Sequence, residues 1–181
     1  MSKKLFASAI LSVLSFGAMA DGPSFNNVEV GYSNVDFDGI VDLSGFELKS
    51  SWELSDNWYL AGDYSDVSEG GFDMNLMSFG VGYKNHFSTN SAFFAQLEYA
   101  EMEADGGVDE DGYEVTFGIR SMVSEQVELK AAIEYLEIDN EDTTSLVLGS
   151  AYNFSDNIAA YAEYKYESDV SRYGVGLRFS F

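Results

Sequence analysis

Few side chains in this sequence could act as a nucleophile, a general base or a transition-metal ligand. His86 is the only histidine, Ser88 follows it by two positions, and the chain contains no cysteine. A His–Ser pair could serve a hydrolase that also uses an acid, but the strand pattern described below puts this pair at a tight turn without a clustered third partner. One histidine and no cysteine also argue against a zinc-type site. We therefore predict no catalytic residues and no cofactor.

Carboxylates are abundant, with 31 Asp and Glu against 9 Lys and Arg and a formal net charge of −22. Such a balance excludes a nucleic-acid ligand, because phosphate contacts need clusters of Lys and Arg. The segment 105–112 resembles a calcium loop but lacks the EF-hand spacing and its distal Glu. It offers weak candidates for divalent-cation binding: Asp105, Asp109 and Asp111. The alternatives are a turn shaped by Asp-Gly and a solvated, self-repelling loop.

The last segment of the chain shows the pattern that organises the rest. Every second residue in it is apolar: Tyr173, Val175, Leu177, Phe179 and Phe181. The residues between them are polar or glycine, and strict alternation predicts a strand with one apolar and one polar face. A last strand that ends on phenylalanine is typical of bacterial outer-membrane β-barrels. We expect this apolar row to be the membrane-insertion signal that the barrel-assembly machinery recognises.

Alternating segments recur along the whole chain, separated by turn-forming residues. They predict ten strands, approximately at 25–35, 43–54, 58–66, 74–86, 91–102, 112–123, 127–137, 144–154, 158–167 and 171–181. Short connections alternate with longer acidic ones, as in barrels with short periplasmic turns and longer extracellular loops. Aromatic residues gather at both ends of the strands, as in the girdles at two membrane interfaces. Eight strands would require the loss of a hairpin that the alternation supports, and a soluble up-and-down barrel is the other alternative.

The polar faces of these strands carry a set of charges that lipid would exclude, since a charged side chain facing lipid near the midplane costs about 2–4 kcal/mol. We expect them to form an interior charge network, which could line a narrow cation-favouring channel. The interpretation we favour is a charge-filled plug that holds the barrel rigid. The predicted network comprises Glu29, Glu47, Lys49, Glu53, Asp63, Lys84, Glu98, Glu114, Arg120, Glu128, Lys130, Glu134, Glu163, Lys165, Arg172 and Arg178.

Residues 1–20 have the features of a cleaved secretory signal peptide. Lys3 and Lys4 precede a mostly apolar stretch, and Ala18-Met19-Ala20 is a small-x-small cleavage site. We therefore predict a signal peptide at 1–20 and one barrel domain at 21–181. The absence of cysteine excludes a lipoprotein anchor and a disulfide framework.

Several short segments resemble a known family. They are 28–32 (VEVGY), 79–83 (FGVGY), 111–115 (DGYEV) with 118–120 (GIR), and 173–179 (YGVGLRF). Together they resemble the small outer-membrane barrels described as "activator of immunity" or "sulfation-dependent quorum factor" proteins of plant-associated and environmental Gram-negative bacteria. More broadly, they are similar to porin-like and opacity-type barrels. The resemblance implies an outer-membrane or vesicle location and a signalling or surface role, and it brings no catalytic residues.

The sequence thus predicts an all-β protein, an up-and-down antiparallel transmembrane β-barrel of about ten strands in the outer membrane of a Gram-negative bacterium. We expect a monomer with a structural or surface-interaction role. A narrow cation-preferring diffusion channel is the alternative, and an outer-membrane hydrolase is a distant one. The expected partners are outer-membrane lipid and lipopolysaccharide, bridged by divalent cations, and the assembly machinery during insertion.

Overall fold

A computed structural model describes residues 22–37, 42–139, 141–168 and 170–181, so the predicted signal peptide lies outside the described residues. The described chain forms ten strands, each hydrogen-bonded antiparallel to its neighbours in sequence, and the first strand pairs with the last. The sheet therefore closes into an up-and-down barrel, which confirms the predicted fold. The strands are β1 (Asn27–Asp36), β2 (Asp42–Glu53), β3 (Trp58–Glu69), β4 (Phe72–Ser88), β5 (Ser91–Ala104), β6 (Val108–Met122), β7 (Val127–Ile138), β8 (Glu141–Asn153), β9 (Ile158–Tyr166) and β10 (Ser171–Ser180).

The outer face of the barrel is apolar, because successive side chains of a strand point to opposite faces of the sheet. Phe79, Leu97 and Phe117 are 55%, 56% and 63% exposed, although each is large and apolar. The alternating row of the last strand, Tyr173 to Phe181, is also exposed along its full length. A continuous apolar exterior of this kind needs a nonaqueous environment, since soluble monomers rarely expose large apolar patches. No helix in the described ranges is long and apolar enough to span a membrane.

Two ends of the barrel can be distinguished. The turn end carries the connections β2–β3, β4–β5, β6–β7 and β8–β9 together with the start of β1 and the end of β10. The loop end carries the other five connections. Strands extend into the longer connections predicted at the loop end, so that Gly70 and Gly71 alone join β3 to β4. Both glycines have positive φ, a conformation that L-residues rarely adopt, and this explains how so tight a turn can form.

The strands at one side of the loop end are longer than the others. β4, β5 and β6 contain 17, 14 and 15 residues, whereas β9 and β10 contain 9 and 10. The sheet is therefore taller on the β4–β6 side, and the acidic residues of segment 105–112 are carried on this taller wall.

Candidate functional site

The inward faces of the strands bring the charged residues together in the lumen. Lys3 and Lys4 aside, the chain has seven Lys and Arg residues, and each of them forms an ion pair with a Glu. Six of the ten ion pairs among the described residues join strands that are two or three positions apart in the sheet, so they reach across part of the lumen. Because a buried charge without a partner is costly, pairing across the lumen is what allows a narrow barrel to contain these side chains.

At the turn end, Arg120 and Arg178 share one carboxylate. Arg120 donates to both oxygens of Glu128, with Nε–Oε1 at 2.9 Å and Nη2–Oε2 at 3.0 Å. Arg178 donates to the same Glu128 at 3.0 Å and to Glu29 at 2.6 Å. Bidentate pairing of this type fixes the geometry of the guanidinium as well as adding energy. The result links β6, β7, β10 and β1 near the turn end.

The middle of the lumen is spanned by a second group of pairs. Glu163 of β9 accepts hydrogen bonds from Lys49 of β2 at 2.6 Å and from Lys130 of β7 at 2.8 Å. Glu47 accepts from the hydroxyl of Tyr161 at 2.7 Å, and Arg172 lies 3.4 Å from its other oxygen. These contacts fill the space between opposite walls with side chains.

Two further pairs complete the set. Lys84 donates to Glu53 at 2.5 Å at the turn end, and Lys165 donates to Glu134 on the β7–β9 side. Thirteen of the sixteen predicted network residues therefore take part in ion pairs, and the other three are Asp63, Glu98 and Glu114.

A short segment before β1 occupies the lumen at the turn end. Phe25 is only 2% exposed, and its ring lies 4.9 Å from that of Tyr59 and 6.1 Å from that of Phe94. Arg120 stacks over the ring at 4.5 Å and Lys84 at 5.0 Å, both within the range of cation–π attraction. The segment 22–26 thus blocks the turn end with an aromatic side chain.

Hydrogen bonds hold this segment in place. The Phe25 amide donates to Glu53 at 3.1 Å, and the Asn26 side chain accepts from the Glu53 amide at 2.7 Å. Gly22 reaches the other side of the barrel mouth, near His86 and the Thr89 carbonyl. The segment therefore extends from β1 across the mouth to the β4–β5 turn.

The loop end of the lumen holds a separate apolar cluster. Val35, Leu43 and Val67 are buried at inward positions of β1, β2 and β3, with Phe37, Met74 and Val170 packed against them. Inward positions are therefore apolar on the β1–β4 side of this end, whereas Glu134, Ser145 and Lys165 keep the β7–β9 side polar. Both ends of the lumen carry apolar side chains, and the charges lie between them.

Three carboxylates in the cavity between these ends lack a cation. Asp63 has neither an ion pair nor a hydrogen bond within the described residues, while Glu98 accepts only from Ser78 at 3.4 Å and Glu114 only from Thr116 at 3.2 Å. All three line a cavity of about 150 Å³. A space of this size accommodates several water molecules.

Glycines create the room that the larger side chains fill. A Cβ added at Gly82 would lie 2.1 Å from the ring of Tyr59, and one at Gly174 would lie 2.3 Å from a carboxylate oxygen of Glu47. The glycine positions are thus matched to specific inward side chains. A larger residue there would displace Tyr59 or Glu47.

The other sequence-predicted candidates lie outside the lumen. Asp109 falls within an exposed acidic group with Glu101 and Glu103, whose carboxylate oxygens lie within 4.8 Å of one another. Asp105 instead accepts a hydrogen bond from the Asp73 amide at 3.2 Å, and Asp111 is not part of that group. The structure therefore separates the three predicted candidates and adds two glutamates of β5.

His86 and Ser88 lie at the exposed end of β4. The Ser88 hydroxyl donates to Asn90 at 2.8 Å, and no carboxylate of the described residues is hydrogen-bonded to His86. The pair therefore lacks the base–nucleophile contact and the orienting acid that a hydrolase needs.

Four inward aromatic residues were not predicted from the sequence: Phe25, Tyr59, Phe94 and Tyr161. The last three occupy inward positions by strict alternation, so strand parity contains the information that places them. Phe25 precedes β1, and no periodic pattern extends to it.

Comparison with known proteins shows the fold and no closer relationship. No protein-family model and no curated protein matches the sequence. The NanC porin structure is 10% identical, with a TM-score of 0.51 over 86% of this chain and 100% of that one. The COG4313 outer membrane channel from Pseudomonas putida F1 is 11% identical, with a TM-score of 0.51 over 91% and 98%. The fold is therefore that of porin-like outer-membrane barrels.

Proposed function

We propose that this chain is an integral outer-membrane protein whose barrel is closed and whose role is structural or surface-interacting. The observation that carries the proposal is the filling of the lumen. An apolar cluster around Phe25 occupies the turn end, a second one covers the β1–β4 side of the loop end, ion pairs cross the middle, and the cavity that remains is about 150 Å³. A closed barrel leaves its loop end as the surface through which the protein would act.

The outer-membrane location has two kinds of support. The exterior is apolar and rich in aromatic residues, with Trp52 and Trp58 exposed toward the turn end. Full closure satisfies the backbone groups of every strand within lipid, which an open sheet could not do. The exposed apolar row of the last strand, Tyr173 to Phe181, favours the same location.

The loop end is the proposed interaction surface. Its acidic group on β5 and β6, Glu101, Glu103 and Asp109, would favour hard divalent cations, which prefer carboxylate oxygens. Such cations could bridge the loop end to the phosphates of lipopolysaccharide. The sequence resemblance to the quorum-factor type of barrel suggests a signalling role for this surface, and nothing in the lumen suggests a reaction.

A narrow cation-preferring channel is the second candidate. The predicted network and Glu167, which pairs with Lys165, together contain ten carboxylates and seven cations, which would favour cations over anions. The Phe25 segment is held by noncovalent contacts alone, so its release would open the turn end. The two structures compared above are a porin and an outer membrane channel, which agrees with this alternative.

Single-channel recording of the refolded mature protein in a planar bilayer, across a salt gradient, separates the two candidates. A closed barrel predicts no steady conductance from protein that is shown to be folded and inserted. Steady cation-selective openings of the wild type would replace the proposed function with the channel.

A Phe25→Ala variant shows whether the segment is what closes the barrel. We expect it to produce openings, because the aromatic ring that blocks the turn end is lost. Phe154→Ala is the matched control, since Phe154 is also an aromatic residue near the turn end but is 62% exposed on the outside. Silence from both variants would mean that the ion pairs alone close the lumen.

A further inference from the structure

The charge balance of the lumen identifies a place where a cation is missing from the protein itself. The predicted network and Glu167, which lies 3.9 Å from Lys165, together contain ten carboxylates and seven cations. Three of these carboxylates have no ion pair among the described residues: Asp63, Glu98 and Glu114. They lie on β3, β5 and β6 and line the same cavity.

The neighbouring cations of the protein are already engaged. Lys49 and Lys130, which act electrostatically on Asp63, both donate to Glu163. Lys165, which acts on Glu114, donates to Glu134. No remaining Lys or Arg of the described residues could turn to the three carboxylates without breaking an existing pair.

A second observation points to a ligand in the same cavity. Tyr59 is only 1% exposed, lines the cavity and interacts electrostatically with Glu98, yet its hydroxyl has no hydrogen-bond partner. Glu98, which is 2% exposed, has only the long contact with Ser78. Buried polar groups without partners are rare in proteins and indicate an unseen water or ion.

We propose that the cavity binds one partly hydrated divalent cation, held between Asp63, Glu98 and Glu114, with the Tyr59 hydroxyl bonded to its water. Hydration follows from the spacing: the three carboxylates are not among the groups whose oxygens converge within 4.8 Å, so water must bridge the ion to some of them. A cavity of about 150 Å³ accommodates the ion and several waters. The site does not require the barrel to conduct, so it is independent of the proposed function.

Equilibrium dialysis of the barrel, refolded at a series of buffered Ca²⁺ concentrations, tests the site, because refolding lets the ion enter before the lumen closes. The exposed group at the loop end could also bind Ca²⁺, so the dialysis uses a background variant in which Glu101, Glu103 and Asp109 are replaced by Gln, Gln and Asn. We expect one Ca²⁺ per barrel in this background. Glu98→Gln should weaken binding roughly tenfold, because ligand charge sets the affinity of oxygen sites for calcium.

Two further variants keep the test decisive. Ser51→Ala alters another cavity-lining residue without changing charge and should leave the affinity for Ca²⁺ unchanged. Asp63→Asn should weaken binding as Glu98→Gln does, and it replaces that variant if Glu98→Gln fails to fold. Absence of Ca²⁺ binding in the background, or an affinity in the Glu98→Gln and Asp63→Asn variants equal to that of the background, would overturn the proposal and leave protonation as the way in which the excess charge is removed.

Discussion

The two halves of the lumen handle buried charge differently. At the turn end, Arg120, Arg178 and Lys84 pair with Glu128, Glu29 and Glu53, and Phe25 lies among them. On the wall of β3, β5 and β6, three carboxylates face a cavity without a cation. The turn end is therefore held rigidly, whereas the wall of β3, β5 and β6 retains room and negative charge. Loss of a paired charge at the turn end should therefore lower the free energy of unfolding, whereas loss of an unpaired carboxylate on this wall should raise it.

The largest change in the free energy of unfolding is expected from Arg120→Ala. It leaves Glu128 with Arg178 alone and removes a guanidinium from the ring of Phe25. Breaking a buried pair costs about 3–5 kcal/mol, because the remaining charge stays buried. The free energy of unfolding can be measured by urea titration of the refolded barrel, followed by tryptophan fluorescence. Arg172→Ala is the control: Arg172 is more exposed and Glu47 keeps its bond from Tyr161. A greater loss for Arg172→Ala would contradict the rigidity of the turn half.

A smaller effect is expected where a glycine makes room for an inward aromatic ring. Gly82→Ala would place a Cβ 2.1 Å from Tyr59 and should cost about 1–3 kcal/mol, as overpacking does in other cores. Gly62→Ala is the matched change in the neighbouring strand, where the nearest atom would be 3.3 Å away. The two variants are compared by the midpoint temperature at which each loses the electrophoretic mobility of the folded barrel. Equal midpoint temperatures for the two variants would show that the Tyr59 ring moves aside at no cost, which would contradict tight packing at the turn end.

The smallest change in the free energy of unfolding is expected from Glu98→Gln in buffer without divalent cations, and this change is an increase. It removes a charge repelled by Asp63 and Glu134, and we expect the free energy of unfolding to rise by about 1 kcal/mol. Glu128→Gln removes a carboxylate that is paired with two arginines and should lower it instead. Urea titration of both variants shows whether each one raises or lowers the free energy of unfolding relative to the wild type. A loss of stability in Glu98→Gln would show that its charge is compensated within the protein.

Sequence reasoning located the strands and the inward charges because alternation is a local property. Each strand alone shows which residues share a face, as the last strand does with Tyr173 to Phe181. Which charges meet is not local. Arg178 and Glu128 lie on β10 and β7, so their contact depends on the register of every strand between them and on side chains crossing the lumen. Phe25 was not predicted because it precedes the first strand, where no alternating pattern indicates the direction of a side chain.

The carboxylates without an ion pair could not be identified from the sequence for the same reason. Strand alternation places more acids than bases in the predicted network, but which carboxylates lack a cation depends on the ion pairs that all the others form. The predicted long connections at the loop end became strand because β3 to β6 continue their pairing past the apolar segments as far as the glycine turns at 70–71 and 106–107.

Closure of the lumen is tested most directly by the accessibility of its wall. The chain has no cysteine, so Gln96→Cys introduces a single thiol beside the cavity, and Gln126→Cys introduces one at an exposed turn as the control. The rate of reaction with a small cationic methanethiosulfonate reagent is measured on barrels in lipid vesicles. We expect the thiol at position 96 to react orders of magnitude more slowly than the thiol at position 126, and to accelerate when Phe25 is also replaced by Ala. Comparable rates at the two positions in the presence of Phe25 would mean that the lumen is open.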